Sequence, residues 1–149
     1  MYQNDIGKRS AKVKNVVERG AVKKFAEAIG DPNPIYWDEE TGKRSRYGRN
    51  IAPPTFPRVF DYGVIEGLKL PSKGLIHGEQ HFHYERPLFV GEELYCYAEV
   101  KDYYENKAAW ACSAFLVIAN NGEDADGNLI FTSTSTIIIN EAVRKAMSV

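Results

Sequence analysis

The chain has 149 residues, a length usual for one domain, and its 44% hydrophobic and 26% charged residues are typical of a globular protein rather than a disordered one. Its formal net charge of -1 lacks the positive excess of a typical nucleic-acid-binding domain. Apolar runs such as residues 114–119 are too short to span a bilayer, and the first residues show no signal-peptide pattern. We therefore expect a single cytoplasmic domain over residues 1–149 that binds neither nucleic acid nor membrane.

The N-terminal part of the chain predicts a strand, a helix and a long loop. Ala11–Val17 alternates mildly and predicts a short edge strand. Arg19–Ile29 has apolar residues at helical spacing, and Gly30 is suited to end the helix. Asp31–Thr55 is rich in proline and polar residues and predicts a loop with one helical turn over Glu39–Lys43. A loop of this length inside a compact domain is usually functional.

The remainder predicts one more helix and then only strands. Phe56–Leu70 can place its apolar residues on one face, with Pro57 in the first turn. Tyr, Val, Ile, Phe and Thr dominate four strand-like segments: Leu75–Tyr84, Glu92–Tyr103, Ala108–Ala119 and Leu129–Ile139. Turns are predicted between them at Gly91, at Asn106, at residues 120–122 and at residues 126–128. Because helices and strands come in blocks, we predict an α+β fold with an antiparallel sheet wrapped around the Phe56–Leu70 helix.

Motifs along the chain resemble one known family. Residues 25–40 read FAEAIGDPNPIYWDEE, and residues 51–54 read IAPP; further on, HGEQ at residues 77–80 precedes RPL at 86–88 and Gly91-Glu92. From about Phe25 to Glu93 the chain resembles the MaoC-like (R)-specific enoyl-thioester hydratases and dehydratases. Their pattern is a helix ending in Gly-Asp-x-Asn-Pro-Ile-His, followed later by Ile-Ala-His-Gly. The resemblance implies a hot-dog fold that binds acyl thioesters of coenzyme A or acyl carrier protein.

The resemblance also implies site residues. In the family the Asp and His of the first motif act as acid and base on one water molecule, and the Gly of Ala-His-Gly donates an N–H to the enolate oxygen. It therefore implies that Asp31, Asn33 and Tyr36 occupy catalytic positions. Tyr36 replaces the histidine and, with an ordinary pKa of ~10, is a poor base at neutral pH. Pro54 replaces the glycine and has no amide hydrogen, a loss that typically costs roughly 3–4 kcal/mol of transition-state stabilisation.

The histidines and the basic residues give further candidates. His77 is the first candidate to replace the missing base. By strand parity we expect it on the same face as His81 and His83, which we interpret as solvent or a subunit interface rather than a metal site. A basic cluster in the long loop is either a solubilising surface or a phosphate-binding one. The predicted substrate-binding residues are Arg44, Arg46 and Arg49 of this cluster, with Pro53, Pro54 and Thr55. No cofactor and no metal are expected.

The pattern of Tyr36 with Ala-Pro-Pro-Thr resembles the N-terminal half of two-domain MaoC-like proteins. It is also similar to the non-catalytic subunit of mycobacterial (3R)-hydroxyacyl-carrier-protein dehydratase heterodimers. Three functions stay open: a hydratase or dehydratase subunit, a non-catalytic tunnel-forming subunit, and a thioesterase, since a fold alone does not select the chemistry. A homodimer or a heterodimer with a second hot-dog subunit is expected, because a single sheet leaves an edge and an apolar face uncovered.

Overall fold

The computed structural model describes residues 1–108 and 111–147. Its strands are β1 (Val13–Val16), β2 (Leu75–Tyr84), β3 (Glu93–Ala108), β4 (Ala111–Glu123) and β5 (Leu129–Ile139). Its α-helices are α1 (Arg19–Ala28), α2 (Glu39–Arg44) and α3 (Glu141–Met147), and short 3-10 helices cover Gln3–Asp5, Pro34–Tyr36 and Phe56–Val59. The strands form one sheet in the order β1-β3-β4-β5-β2, and every neighbouring pair is antiparallel. This architecture confirms the α+β class.

Several elements have the bounds that their residue patterns predict. Strands β2 and β5 begin and end at the predicted residues, and α1 ends one residue early. Gly30 ends α1 with a φ of 72°, and the amide of Asp31 donates back to the carbonyl of Ala26 at 2.9 Å. This arrangement is the usual glycine-dependent end of a helix. It places Asp31 directly after the buried face of α1.

The prediction of a helix over Phe56–Leu70 is wrong. Only Phe56–Val59 is helical, as one 3-10 turn, and the chain beyond it is irregular. Gly63 and Gly67 have φ values of 75° and 78°, in the left-handed region that a right-handed helix excludes. Val64 is 82% exposed, although the helical pattern assigns it to the buried face. We call residues 56–70 the cover segment, because they lie across one face of the sheet.

Two predicted turns are also wrong. At Asn106 the strand continues, since Asn106 pairs with Ser113, and at residues 120–122 β4 runs on to Glu123. Gly122 is needed there not for a turn but for close packing, because a Cβ at this position would overlap the ring of Phe131. Residues 109 and 110 of the predicted strand Ala108–Ala119 lie outside the described residues.

The core consists of two apolar clusters on one face of the sheet, which we call the inner face. The first joins α1 and the loop after it to the sheet, and its fully buried side chains include Val22, Phe56 and Phe131. The second contains Leu116 and Ile139, with Ile65 of the cover segment packed on them. Burying one such side chain contributes about 1.5–3 kcal/mol. Within residues 1–108 and 111–147, no helix combines the length and apolarity needed to cross a membrane.

Candidate functional site

The Asp-Pro-Asn-Pro motif is folded by its own side chains. Asp31 Oδ1 accepts from the amide of Asn33 at 3.2 Å, and Asn33 Oδ1 accepts from the amide of Ile35 at 3.1 Å. The second contact caps the 3-10 helix Pro34–Tyr36. Asn33, a predicted catalytic residue, is thus engaged with the backbone of the loop that presents Asp31 and Tyr36.

The buried side chain of Asn50 is hydrogen-bonded to the loop that contains the Asp-Pro-Asn-Pro motif. Asn50 was not identified as a site residue from the sequence. It is 4% exposed, and its Nδ2 donates to the carbonyls of Ile35 and Asp38, both at 2.8 Å. Its Oδ1 accepts from Arg19 Nη1 at 3.0 Å. Gly42 packs so closely that an added Cβ would lie 2.7 Å from the amide nitrogen of Asn50. The only sequence signal was a polar residue directly before the apolar pair Ile51-Ala52.

Asp31 and Tyr36 are brought together at the first core cluster. Tyr36 is 7% exposed, and its pKa is raised by burial, by the charge of Asp31 and by a side-chain hydrogen bond to Asp31. The hydroxyl therefore stays protonated at neutral pH. Asp31 also lines a cleft of about 270 Å³ beside Trp37, Lys23 and Glu27. Asp31 thus stands between the buried Tyr36 and this cleft, and at neutral pH the protonated phenol can donate a hydrogen bond but not act as a base.

A second cleft, of about 370 Å³, lies beside the Ala-Pro-Pro motif. Its lining is largely apolar and aromatic: Tyr47, Ile51, Ala52, Pro54, Tyr84, Glu85, Arg86, Pro87 and Leu88. The hydroxyl of Tyr84 donates to the carbonyl of Pro54, and burial raises the pKa of Tyr84, so this hydroxyl remains a donor. Pro53 is buried and Thr55 is exposed. Pro54 brings to this cleft a carbonyl acceptor but no N–H.

The predicted phosphate-binding arginines have different surroundings. Arg49 donates to the carbonyl of Val90 at 3.0 Å and stacks on the ring of Phe89, 4.7 Å from its centre. Arg46 donates to the hydroxyl of Tyr47 at 2.6 Å and stacks on that ring, and Tyr47 lines the second cleft. Arg44 is exposed at the end of α2. Of these three arginines, Arg46 contacts a residue that lines the second cleft, while Arg49 is engaged in packing the loop.

His77 lies on the face opposite to the one that parity predicts. The β2–β5 register shifts between His77 and Glu79, so Gly78 forms a β-bulge that reverses the alternation before it. His77 Nε2 consequently lies 2.9 Å from Gln80 Oε1, whereas His81 and His83 pair with glutamates on the other face. At about 3.3 Å per residue, His77 is roughly 20 Å along β2 from Tyr84. The structure therefore separates His77 from the Tyr84–Pro54 contact, and its catalytic role stays a prediction.

Solved structures with similar coordinates identify the class of fold. The MaoC-like dehydratase from Rhodospirillum rubrum superposes with a TM-score of 0.69 at 23% identity, over 91% of this chain and 92% of that one. A chain of the HadBC (3R-hydroxyacyl-ACP dehydratase) complex from Mycobacterium tuberculosis gives a TM-score of 0.71 at 18% identity, over 93% of this chain and 100% of that one. The fold is the hot-dog fold of MaoC-like dehydratases, as the motifs predicted.

Sequence comparison gives the family. Residues 4–133 match the family model described as the FAS1-like dehydratase domain region. The chain is also 31% identical over 129 residues to a UPF0336 protein of Thermobifida fusca (strain YX), which spans 83% of this chain and 82% of that protein. The chain therefore belongs to the FAS1-like dehydratase region family, among the hot-dog hydratases and dehydratases.

Proposed function

We propose that this chain is the acyl-thioester-binding subunit of a two-subunit hydratase or dehydratase whose acid–base pair lies on a second hot-dog subunit. The observation that carries the proposal is the burial of Tyr36 at the position of the family's histidine, where burial and the charge of Asp31 raise the pKa of its hydroxyl. A phenol whose pKa is raised above its usual value keeps its proton at neutral pH and does not act as a base toward water.

Pro54 also supports a thioester-binding role for this chain, with the catalytic groups on a second subunit. Addition of water to an enoyl thioester builds negative charge on the carbonyl oxygen, which needs a preorganised donor. At the position of the family's donor glycine, Pro54 presents a carbonyl instead, and that carbonyl accepts from Tyr84. Tyr36 replaces the base and Pro54 replaces the oxyanion donor of the same reaction. A subunit that keeps the fold but lacks both groups is suited to binding the thioester rather than to hydrating it.

The second cleft supports binding of an acyl thioester. Its apolar lining, with Ile51, Pro54 and Leu88, suits a hydrocarbon chain or a pantetheine arm. Arg46, which stacks on Tyr47 of this lining, and Arg44 on α2 carry guanidinium groups, which bind phosphates through charge-assisted hydrogen bonds. Coenzyme A and the phosphopantetheine arm of a carrier protein both supply such phosphates.

The sheet has a place for a second subunit. Strand β2 has ten residues and stands at the edge of the sheet, so among residues 1–108 and 111–147 one row of its backbone groups has no neighbouring strand. Long edges of this kind are usually covered by another chain or another element. The HadBC structure is described as a complex of a dehydratase, and one of its chains superposes on this one. We propose that this chain likewise pairs with a hot-dog subunit that carries an intact Asp–His motif.

The test is calorimetric titration of the purified chain with crotonyl-coenzyme A and with a crotonyl carrier protein. Enoyl absorbance and free thiol are followed in parallel. We expect binding without loss of the enoyl band and without thiol release. Arg46→Gln should weaken coenzyme A binding about fivefold, since an exposed ionic contact contributes about 1 kcal/mol, whereas Lys101→Gln on β3 should not.

Each of the other outcomes indicates a different function for the chain or contradicts the proposal. Absence of binding to either thioester would contradict the proposal. Hydration by the chain alone, abolished by Asp31→Asn, would make it a complete hydratase. Release of free thiol would make it a thioesterase.

A further inference from the structure

The side chain of Tyr84, the last residue of β2, lines the second cleft. Its ring packs against Phe131 of the first core cluster, with the two ring centres 6.0 Å apart, so the ring is held at the wall of the cleft. Its hydroxyl donates to the carbonyl of Pro54, which lines the same cleft. A phenol carries one proton, and burial raises the pKa of Tyr84, so this proton stays in place at neutral pH. The second cleft therefore contains a positioned hydrogen-bond donor.

The present acceptor of this proton can be exchanged at low cost. Pro54 is exposed, so its carbonyl can accept a hydrogen bond from water when the hydroxyl of Tyr84 turns elsewhere. A hydroxyl hydrogen rotates to suit its acceptor, and this rotation needs no movement of the ring or of β2. A ligand carbonyl that enters the cleft can therefore take over the hydrogen bond from Pro54.

Neighbouring donors in the cleft are engaged elsewhere. The guanidinium of Arg86 donates twice to the carboxylate of Glu92, at 3.0 and 2.8 Å. The hydroxyl of Tyr47 is bound by Arg46, the guanidinium that the proposed function assigns to a phosphate. The amide of Ala52 donates to a backbone carbonyl at 2.9 Å. These contacts leave the hydroxyl of Tyr84 as the donor best placed for a neutral carbonyl oxygen.

We propose that the hydroxyl of Tyr84 binds the carbonyl oxygen of the thioester in the second cleft. This inference deepens the proposed function and rests on it, since it names the group that holds the thioester in the same cleft. A carbonyl that leaves water for an apolar cleft needs a hydrogen-bond partner, and the phenol supplies one. The contact is made with the bound thioester before any reaction. Tyr84 is thus a binding and positioning residue, and it discriminates against ligands that have no carbonyl group.

The experiment compares two ligands that differ only in this carbonyl. They are crotonyl-coenzyme A and its thioether analogue crotyl-coenzyme A, in which a CH2 group replaces the C=O group. Calorimetric titration gives the affinity of the wild type and of Tyr84→Phe for each ligand. The variant should bind crotonyl-coenzyme A about fivefold more weakly, since one hydrogen bond contributes about 1 kcal/mol net. It should bind crotyl-coenzyme A as tightly as the wild type does.

Two further tyrosines provide matched controls. The hydroxyl of Tyr62 also donates to a proline carbonyl, that of Pro57, at 2.5 Å, but Tyr62 does not line the second cleft. Tyr62→Phe should therefore change neither affinity. Tyr47→Phe should weaken both ligands equally, because Tyr47 contacts Arg46 and both ligands carry the same phosphates.

A carbonyl carbon-13 NMR spectrum reports the contact itself. Crotonyl-coenzyme A labelled at its carbonyl should show a downfield shift on binding to the wild type, which Tyr84→Phe abolishes and Tyr62→Phe retains. An equal effect of Tyr84→Phe on both ligands, or a carbonyl shift that survives this variant, would overturn the inference and leave the proposed function intact. Failure of both ligands to bind the wild type would overturn both.

Discussion

The motif loop, residues 31–55, and the cover segment, residues 56–70, are consecutive and contain little regular structure, yet they are held in different ways. The motif loop is fastened from inside by the buried side chain of Asn50, which joins Ile35, Asp38 and Arg19. The cover segment is attached by solvent-exposed hydrogen bonds, in which the side chain of Asn15 of β1 donates to the carbonyl of Asp61 and accepts from its amide. Apolar anchors such as Phe56 and Ile65 complete its attachment.

The difference indicates which region is preorganised and which can adapt. Internal hydrogen bonds in a buried setting are strong and leave few alternative conformations. A segment with exposed Val59 and Val64 and two glycines in the left-handed region opens at lower cost. We infer that the motif loop fixes the reacting end of the site, while the cover segment adjusts to the length of the ligand.

The largest expected effect comes from Asn50→Ala. It leaves the carbonyls of Ile35 and Asp38 without their donor in a buried setting, at about 1–3 kcal/mol each. The free energy of unfolding, measured by urea titration, should fall by roughly 4 kcal/mol. The matched change Asn15→Ala in the cover segment should cost only about 1 kcal/mol, because its partners can bond to water. Equal losses would remove the distinction between the two regions.

Substitutions at two glycines test the same difference in rigidity between the motif loop and the cover segment. Gly42→Ala places a methyl group 2.7 Å from the amide nitrogen of Asn50 and 2.9 Å from the backbone of Arg49, so the loop must shift. Overpacking of this kind costs about 1–3 kcal/mol, and we expect the upper half of that range. Gly63→Ala in the cover segment meets its nearest atom at 3.1 Å but has a φ of 75°, which costs about 1–2 kcal/mol. If urea titration shows a larger loss of unfolding free energy for Gly63→Ala than for Gly42→Ala, the cover segment and not the motif loop is the more rigid region.

A smaller effect is expected at high pH from Tyr36. Because its pKa is raised in the folded protein, its hydroxyl stays protonated in both states below about pH 10 and contributes fully there. As the pH rises further, the unfolded chain loses this proton first, and stability falls through the folded-state pKa. Tyr36→Phe should therefore lose about 1 kcal/mol at neutral pH and show a shallower alkaline decline. An alkaline decline as steep as that of the wild type would contradict the raised pKa of Tyr36 in the folded protein.

Local residue patterns predicted the strands well, because their signals are strong and lie in the strands themselves. In β5, Phe131, Ser133 and Ser135 share one face with Ile137, and the turn at Gly127 precedes the strand. The motif resemblance predicts that Asp31 and Tyr36 share a site, but not that Tyr36 is buried or that its pKa is raised. Burial depends on the packing of the first core cluster, which only the folded chain defines.

Three of the wrong predictions involve a glycine whose role depends on its surroundings in the fold. Gly63 lies inside the predicted helix Phe56–Leu70, yet its left-handed φ ends any helix there. Gly122 lies in a predicted turn, yet it belongs to β4 and leaves room for the ring of Phe131. Gly78 forms the bulge that moves His77 to the inner face, and a single bulge reverses every parity argument across it. In each case the decisive contact comes from a distant part of the chain.

The most direct measurement of the central claim is a reconstitution assay with crotonyl-coenzyme A. The purified chain is combined with a second hot-dog subunit that has intact Asp-x-Asn-Pro-Ile-His and Ala-His-Gly motifs, and loss of the enoyl absorbance is followed. We predict no turnover by this chain alone, turnover by the pair, and none when the histidine of the second subunit is replaced by alanine. Turnover by this chain alone, at a rate that the second subunit does not change, would contradict the account.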